Sequence, residues 1–160
     1  MMRTWLCLLM LLALAFPCLA QESKLRLSLA VPQPHFSKGF NCQATFQNRS
    51  SSALVVFPFL VRPVYLDKGA GLTVFPGPAP QYDWSKAVVL GPGKSHSFKM
   101  SATSIFMTGI YTFTPGPHQL VLQYDVAVPP DQMDSRAPKY KDKVWTGKLQ
   151  SEMVTVHCKP

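Results

Sequence analysis

The chain has 160 residues, and its 16 Lys and Arg outnumber its 8 Asp and Glu for a net charge of +8. Fifteen prolines and nine glycines argue against a helix bundle. From Gln21 onward Leu, Ile, Val and Phe supply 36 of 140 residues, which excludes a disordered chain and leaves one domain with a real core.

The first 20 residues read as an export signal. Arg3 is the only charge before Glu22, an apolar run covers Trp5 to Phe16, and Pro17 precedes Cys18-Leu19-Ala20. A cationic start, about a dozen apolar residues and small residues at the cut are the pattern of a signal peptide. Residues 1–20 are therefore expected to be removed, leaving 21–160 as a single exported domain, periplasmic or extracellular. The run is shorter than the roughly 20 residues a spanning helix needs, and no later segment approaches that length. No transmembrane helix is expected after cleavage. Lipidation at Cys18 is disfavoured by Phe16 and Pro17 just before it.

Period-two patterns follow. Lys24–Val31 places Leu25, Leu27, Leu29 and Val31 on one face. Phe40–Asn48 places Phe40, Cys42, Ala44 and Phe46 inward, with polar residues between. Ala53–Val61 is apolar on both faces, and Pro58 cannot donate to a ladder, so this strand is expected at an edge or with a bulge. Asp67-Lys68-Gly69 is a turn signal expected to join Val64–Leu66 to Leu72–Phe75. Gly91-Pro92-Gly93 separates Ala87–Leu90 from Ser95–Met100. Ile110–Phe113 leads to His118–Val128, where Leu120, Leu122, Tyr124, Val126 and Val128 alternate. Val144–Cys158 shifts parity between Leu149 and Val154, so a bulge is expected near Ser151–Met153, with strain relieved at Gly147. Eight or nine short strands with frequent turns and no amphipathic helix read as an all-β, antiparallel two-sheet sandwich.

Cleavage after Ala20 would leave two cysteines, Cys42 and Cys158. Their spacing fits no metal-ligand pattern, and in an oxidising compartment a single disulfide is expected. Closing so long a loop is worth about 4–5 kcal/mol in the chain-entropy view.

Four short motifs occur in order: Asn48-Arg49-Ser50, Leu90-Gly91-Pro92-Gly93-Lys94-Ser95, Pro115-Gly116-Pro117-His118, and the run from Trp145 to Ser151. With them the chain resembles the immunoglobulin-like or fibronectin type III-like domains of bacterial exported proteins. The resemblance implies the sandwich architecture and says almost nothing about activity. Such domains usually carry a tyrosine where the penultimate strand begins, tying down the corner with its hydroxyl. Here His118 stands in that place.

Candidate chemistry is sparse. Gly93-Lys94-Ser95 imitates the end of a phosphate loop, but Val88 stands where the first glycine belongs. No G-x-S-x-G, H-E-x-x-H or paired carboxylates occur, so no enzyme and no cofactor are expected. A copper site would need His35, His96, His118, His157 or a methionine to converge through the fold, and His96, His118 and the methionines are the candidates for a metal or small-ligand carrier. His96 and Met100 would lie about 13 Å apart on a strand, too far to share an ion. Arg136, Lys139, Tyr140, Lys141 and Lys143 form a basic stretch suited to an anionic envelope component, or else a solvated loop. Leu54, Val56 and Leu60 are interface candidates, since one face of an apolar strand needs cover from a partner or from the Phe75–Tyr82 segment. Nucleic acid is not expected as a partner outside the cytoplasm. The leading expectation is a non-enzymatic module that binds another protein. A metal or ligand carrier and a protease inhibitor acting through Pro76–Pro80 or Pro129–Lys143 are the alternatives.

Overall fold

The computed structural model describes residues 24–37, 40–67, 70–74, 82–102, 104–105, 109–127 and 142–160. The expected export signal, the Pro76–Pro80 loop and most of the Pro129–Lys143 loop lie outside them. The described residues form an all-β fold with several antiparallel sheets and short 3-10 turns. None of its helices is long and apolar enough to cross a membrane.

The first sheet holds β1 (Leu25–Ala30), β3 (Asn41–Asn48) and β8 (Ser95–Ser101), with β3 in the middle. Its alternation follows the sequence. Leu25, Leu27 and Leu29 are buried along β1, as are Cys42, Ala44 and Phe46 along β3. The register pairs Leu27 with Phe46 and Phe46 with His96, so the inward side chains form rows across three strands. The other face carries Arg26, Gln43, Thr45, Ser97 and Lys99. Thr45 and Ser97 share a hydroxyl–hydroxyl bond of 2.8 Å there.

The second large sheet is built around β11 (Gly116–Val126), the longest strand. On one side it pairs β5 (Val61–Tyr65), on the other both β12 (Gly147–Gln150) and β13 (Val154–Cys158). Leu120, Leu122, Tyr124 and Val126 are buried, as their alternation predicts, while Val128 lies outside the described residues. The two sheets meet through their aromatic side chains, with Phe46 edge-on to Tyr124 at 4.8 Å.

The expected bulge is present. Gln123 pairs with Gln150, whereas Leu120 pairs with Val154, so Val121 and Leu122 face the three residues Ser151–Met153. Ser151 fills the gap: its N–H donates to the Leu122 carbonyl, and its hydroxyl accepts the Leu122 N–H at 2.9 Å. The slip turns Met153 out to 54% exposure, against the inward placement its parity predicts. Gly147 has φ +135°, and a Cβ there would stand 3.2 Å from the Trp145 ring.

Four expectations need correction. Ala53–Val61 is not one strand. It divides into β4 (Leu54–Val56), a 3-10 turn over Pro58–Leu60 and the start of β5, because Pro58 suits the first turn of a helix and not a ladder. Nor does the Asp67 turn close a hairpin: β5 pairs with β11, while β6 (Ala70–Val74) pairs with β10 (Gly109–Phe113). The pairing is not wholly antiparallel, since the two-residue β2 (His35–Phe36) runs parallel to β13. The expected Cys42–Cys158 disulfide is not formed, and both thiols are free. Cys42 lies in the first sheet opposite Met100, and Cys158 ends β13 in the second, its thiol 3.5 Å from the Lys159 carbonyl.

Candidate functional site

The segment expected to form an exposed interface is covered by the chain itself. Leu54 and Val56 are buried, and Leu60 is half-buried against the core. β4 is not an edge. β7 (Val88–Leu90) pairs with it on one side, and Val144 bridges to Val55 in parallel on the other. The Trp145 N–H also donates to the Val55 carbonyl.

Beyond β4 lies an aromatic cluster. Phe57 is fully buried, with Phe59, Tyr82 and Trp84 edge-on around it at 5.9, 5.4 and 5.2 Å. Tyr82 and Trp84 pack on Phe57, while the rest of the Phe75–Tyr82 segment expected to cover Leu54, Val56 and Leu60 lies outside the described residues. The Tyr82 hydroxyl donates to the Ala127 carbonyl at 2.5 Å. Burial and the nearby Asp125 carboxylate both raise its pKa. Asp83 caps the 3-10 turn Trp84–Lys86. Bonds from Ser85 and Lys86 hold its carboxyl below the usual range. Trp84 Nε1 is buried with no hydrogen-bond partner among the described residues.

His118 is 1% exposed, and both of its ring nitrogens are engaged. Nε2 lies 2.8 Å from the Thr114 carbonyl, and Nδ1 lies 2.8 Å from Asp67 Oδ1. The Thr114 carbonyl only accepts, so Nε2 donates to it, and the Asp67 carboxylate faces Nδ1. Asp67 Oδ2 accepts the Gln119 N–H at 2.8 Å. His118 thus ties down the turns at both ends of its neighbourhood, with both ring nitrogens occupied. His96 sits on β8 in the other sheet, stacked on Phe98 at 5.9 Å. The two histidines named as metal candidates are not brought together. Among the described residues no group of three His, Cys, Asp or Glu is placed to hold an ion.

Of the basic stretch, Arg136, Lys139, Tyr140 and Lys141 lie outside the described residues, and Lys143 is exposed. The two proposed inhibitor loops fall largely outside them as well.

The open feature is the outer side of β8. Among the described residues β8 has a strand neighbour on one side only, β3. Its outward side chains Ser95, Ser97 and Lys99 are exposed. Its inward His96 and Phe98 are only half-buried, unlike their row partners Phe46 and Ala44. Lys94 and Lys99, both exposed, give this margin positive charge. Sequence reasoning read these residues as a strand but could not see that the core thins beneath them.

Compared with known proteins, the chain matches no family model and no curated sequence.

Proposed function

We propose that the protein is an exported, non-enzymatic binding module with an immunoglobulin-like β-sandwich, and that it takes a partner protein along the β8 margin. An extended segment of the partner would add as a further strand, its main chain bonding to β8 and its side chains covering Phe98 and His96. The half-buried inward face of β8 is the observation that carries this reading. A strand that ends a sheet normally either finishes the core or is shielded, and this one does neither among the described residues. The basic margin favours an acidic partner segment and speeds its encounter. A two-layer arrangement is supported by Phe46 of β3 meeting Tyr124 of β11, and by the inward rows of both large sheets contributing to one core.

A photo-crosslinker at Ser97, in cells expressing the chain, is expected to capture a partner through an extended segment. Hydrogen exchange on that complex is expected to show new protection over 95–100. Equal capture from Gln43, on the flat polar face of the same sheet, overturns the edge reading.

The metal-carrier reading in its His96–His118 form has no support, because the two rings sit in different sheets and His118 has both nitrogens occupied.

A further inference from the structure

We infer that His35 and His157 form a two-histidine surface site for a divalent transition metal, Cu(II) above Zn(II). The site is distinct from the β8 margin and does not depend on it.

The short parallel pairing of β2 with β13 sets His35 directly beside His157. Two main-chain bonds bracket the pair: the His157 N–H donates to the Pro34 carbonyl at 2.6 Å, and the Lys159 N–H donates to the Phe36 carbonyl at 2.7 Å. Pro32 and Pro34 stiffen the approach to β2 by fixing φ. The adjacent residues Phe36 and Cys158 pack toward the core, Phe36 at 4% exposure. Strand alternation therefore sends both imidazoles outward on one face, and both are exposed.

Their ring centroids lie 5.0 Å apart with an interplanar angle of 27°. That spacing matches joint ligation. With metal–nitrogen bonds of about 2.0–2.1 Å and an angle near tetrahedral, two imidazole centroids on one ion stand about 5 Å apart. Only rotation about the second side-chain torsion is needed to converge two nitrogens, and that torsion is broad for histidine. The main chain has already placed the rings at the distance an ion requires.

The remaining ligands come from solvent. On the other side of β13, Pro117 is paired with His157 and supplies no donor. No third His, Cys, Asp or Glu among the described residues joins the pair. Two imidazoles with open positions suit a borderline ion, and Cu(II) leads the divalent order for nitrogen sites.

The test is a titration of the metal-stripped chain with copper(II) sulfate and, separately, zinc chloride, followed by calorimetry and, for copper, electron paramagnetic resonance. One ion per chain is expected, with nitrogen splittings from two imidazoles. His35→Ala and His157→Ala are each expected to weaken binding at least tenfold and to remove one imidazole from the spectrum. Both side chains are exposed, and circular dichroism checks that the fold survives. His96→Ala is expected to change nothing. Absence of stoichiometric binding, or copper binding retained in the double variant His35→Ala/His157→Ala, overturns the site.

Discussion

The hydroxyl of Tyr124 accepts the main-chain N–H of Phe57 at 2.9 Å, deep in the molecule. Tyr124 is fully buried, and its ring packs on Phe46 and Trp145. The bond satisfies an amide at the point where β4 gives way to the 3-10 turn and no ladder can serve it. Burial raises the phenol's pKa, so it stays neutral across the physiological range. Tyr124→Phe keeps the ring and strands the amide. A loss of about 1–3 kcal/mol is expected, the penalty of an unsatisfied buried donor. Urea unfolding followed by tryptophan fluorescence measures it. A change below a few tenths of a kcal/mol would mean that the Phe57 N–H finds another acceptor.

Asn48 fastens two turns to one another. Its side-chain Nδ2 donates to the carbonyls of Ser52, Leu90 and Gly91, and Oδ1 accepts from the N–H and hydroxyl of Ser50. Its own main chain bonds to Lys94 and Gly93. Asn48→Asp is nearly isosteric but replaces the donor with an acceptor facing three carbonyls. It is expected to destabilise more than Asn48→Ala, and the alanine variant itself by roughly 2–4 kcal/mol for several lost buried bonds. Thermal unfolding of the two variants gives the order. The reverse order would show that the carbonyl contacts matter less than the Ser50 bonds.

Much of the core was legible because two-residue alternation has one physical cause, a sheet with one face inward. Leu25–Leu29, Cys42–Phe46 and Leu120–Val126 follow it closely, and the parity shift before Val154 marked the bulge to within a residue. The failures have physical causes too. Leu54–Val61 is apolar on both faces, so alternation carries no direction there, and Pro58 ended the strand. The Asp67 turn reversed the chain, but turn chemistry is local and does not say which strand becomes the neighbour. At two residues, β2 is too short for any period, so the meeting of His35 with His157 was invisible. The tie expected at position 118 is made by the imidazole itself, whose Nε2 lies 2.8 Å from the Thr114 carbonyl, whereas the bond between Tyr124 and Phe57 had no local signal, because a hydroxyl's partner depends on sheet packing and not on chain order.

The two thiols differ in environment. Cys42 is 2% exposed, and burial pushes its thiol from 9.0 up to about 11. The folded state therefore holds this proton more tightly than the unfolded chain. The associated stability is fully present below about pH 9 and is lost as pH rises toward about 11. Fluorescence-monitored unfolding midpoints are expected to fall over that window, and Cys42→Ala is expected to flatten part of the slope. At pH 8, a thiol reagent is expected to label Cys158 in the native chain and Cys42 only after unfolding. Native chain in which neither thiol reacts after denaturation, with a mass short by two hydrogens, would show the pair oxidised.

His118 and Asp67 hold the start of β11 against the turn after β5. The ring bonds to the Thr114 carbonyl on one side and the carboxylate on the other, while Gln119 donates to the second carboxylate oxygen. Phe113 and Tyr65 close over the imidazole at 5.2 and 6.4 Å. His118→Leu fills similar space but removes the ring's bonds to the Thr114 carbonyl and to Asp67 Oδ1. A loss of about 2–4 kcal/mol is expected, since one of those bonds involves a charged group. Asp67→Asn retains an acceptor for Gln119 or for the ring but removes the charge, and is expected to destabilise less. The double variant His118→Leu/Asp67→Asn is expected to be less destabilised than the sum of the singles, because both changes act on the same contact between the ring and the carboxylate. Denaturant unfolding of all four chains measures the coupling directly. Strict additivity would mean that the two side chains are neighbours without an energetic coupling.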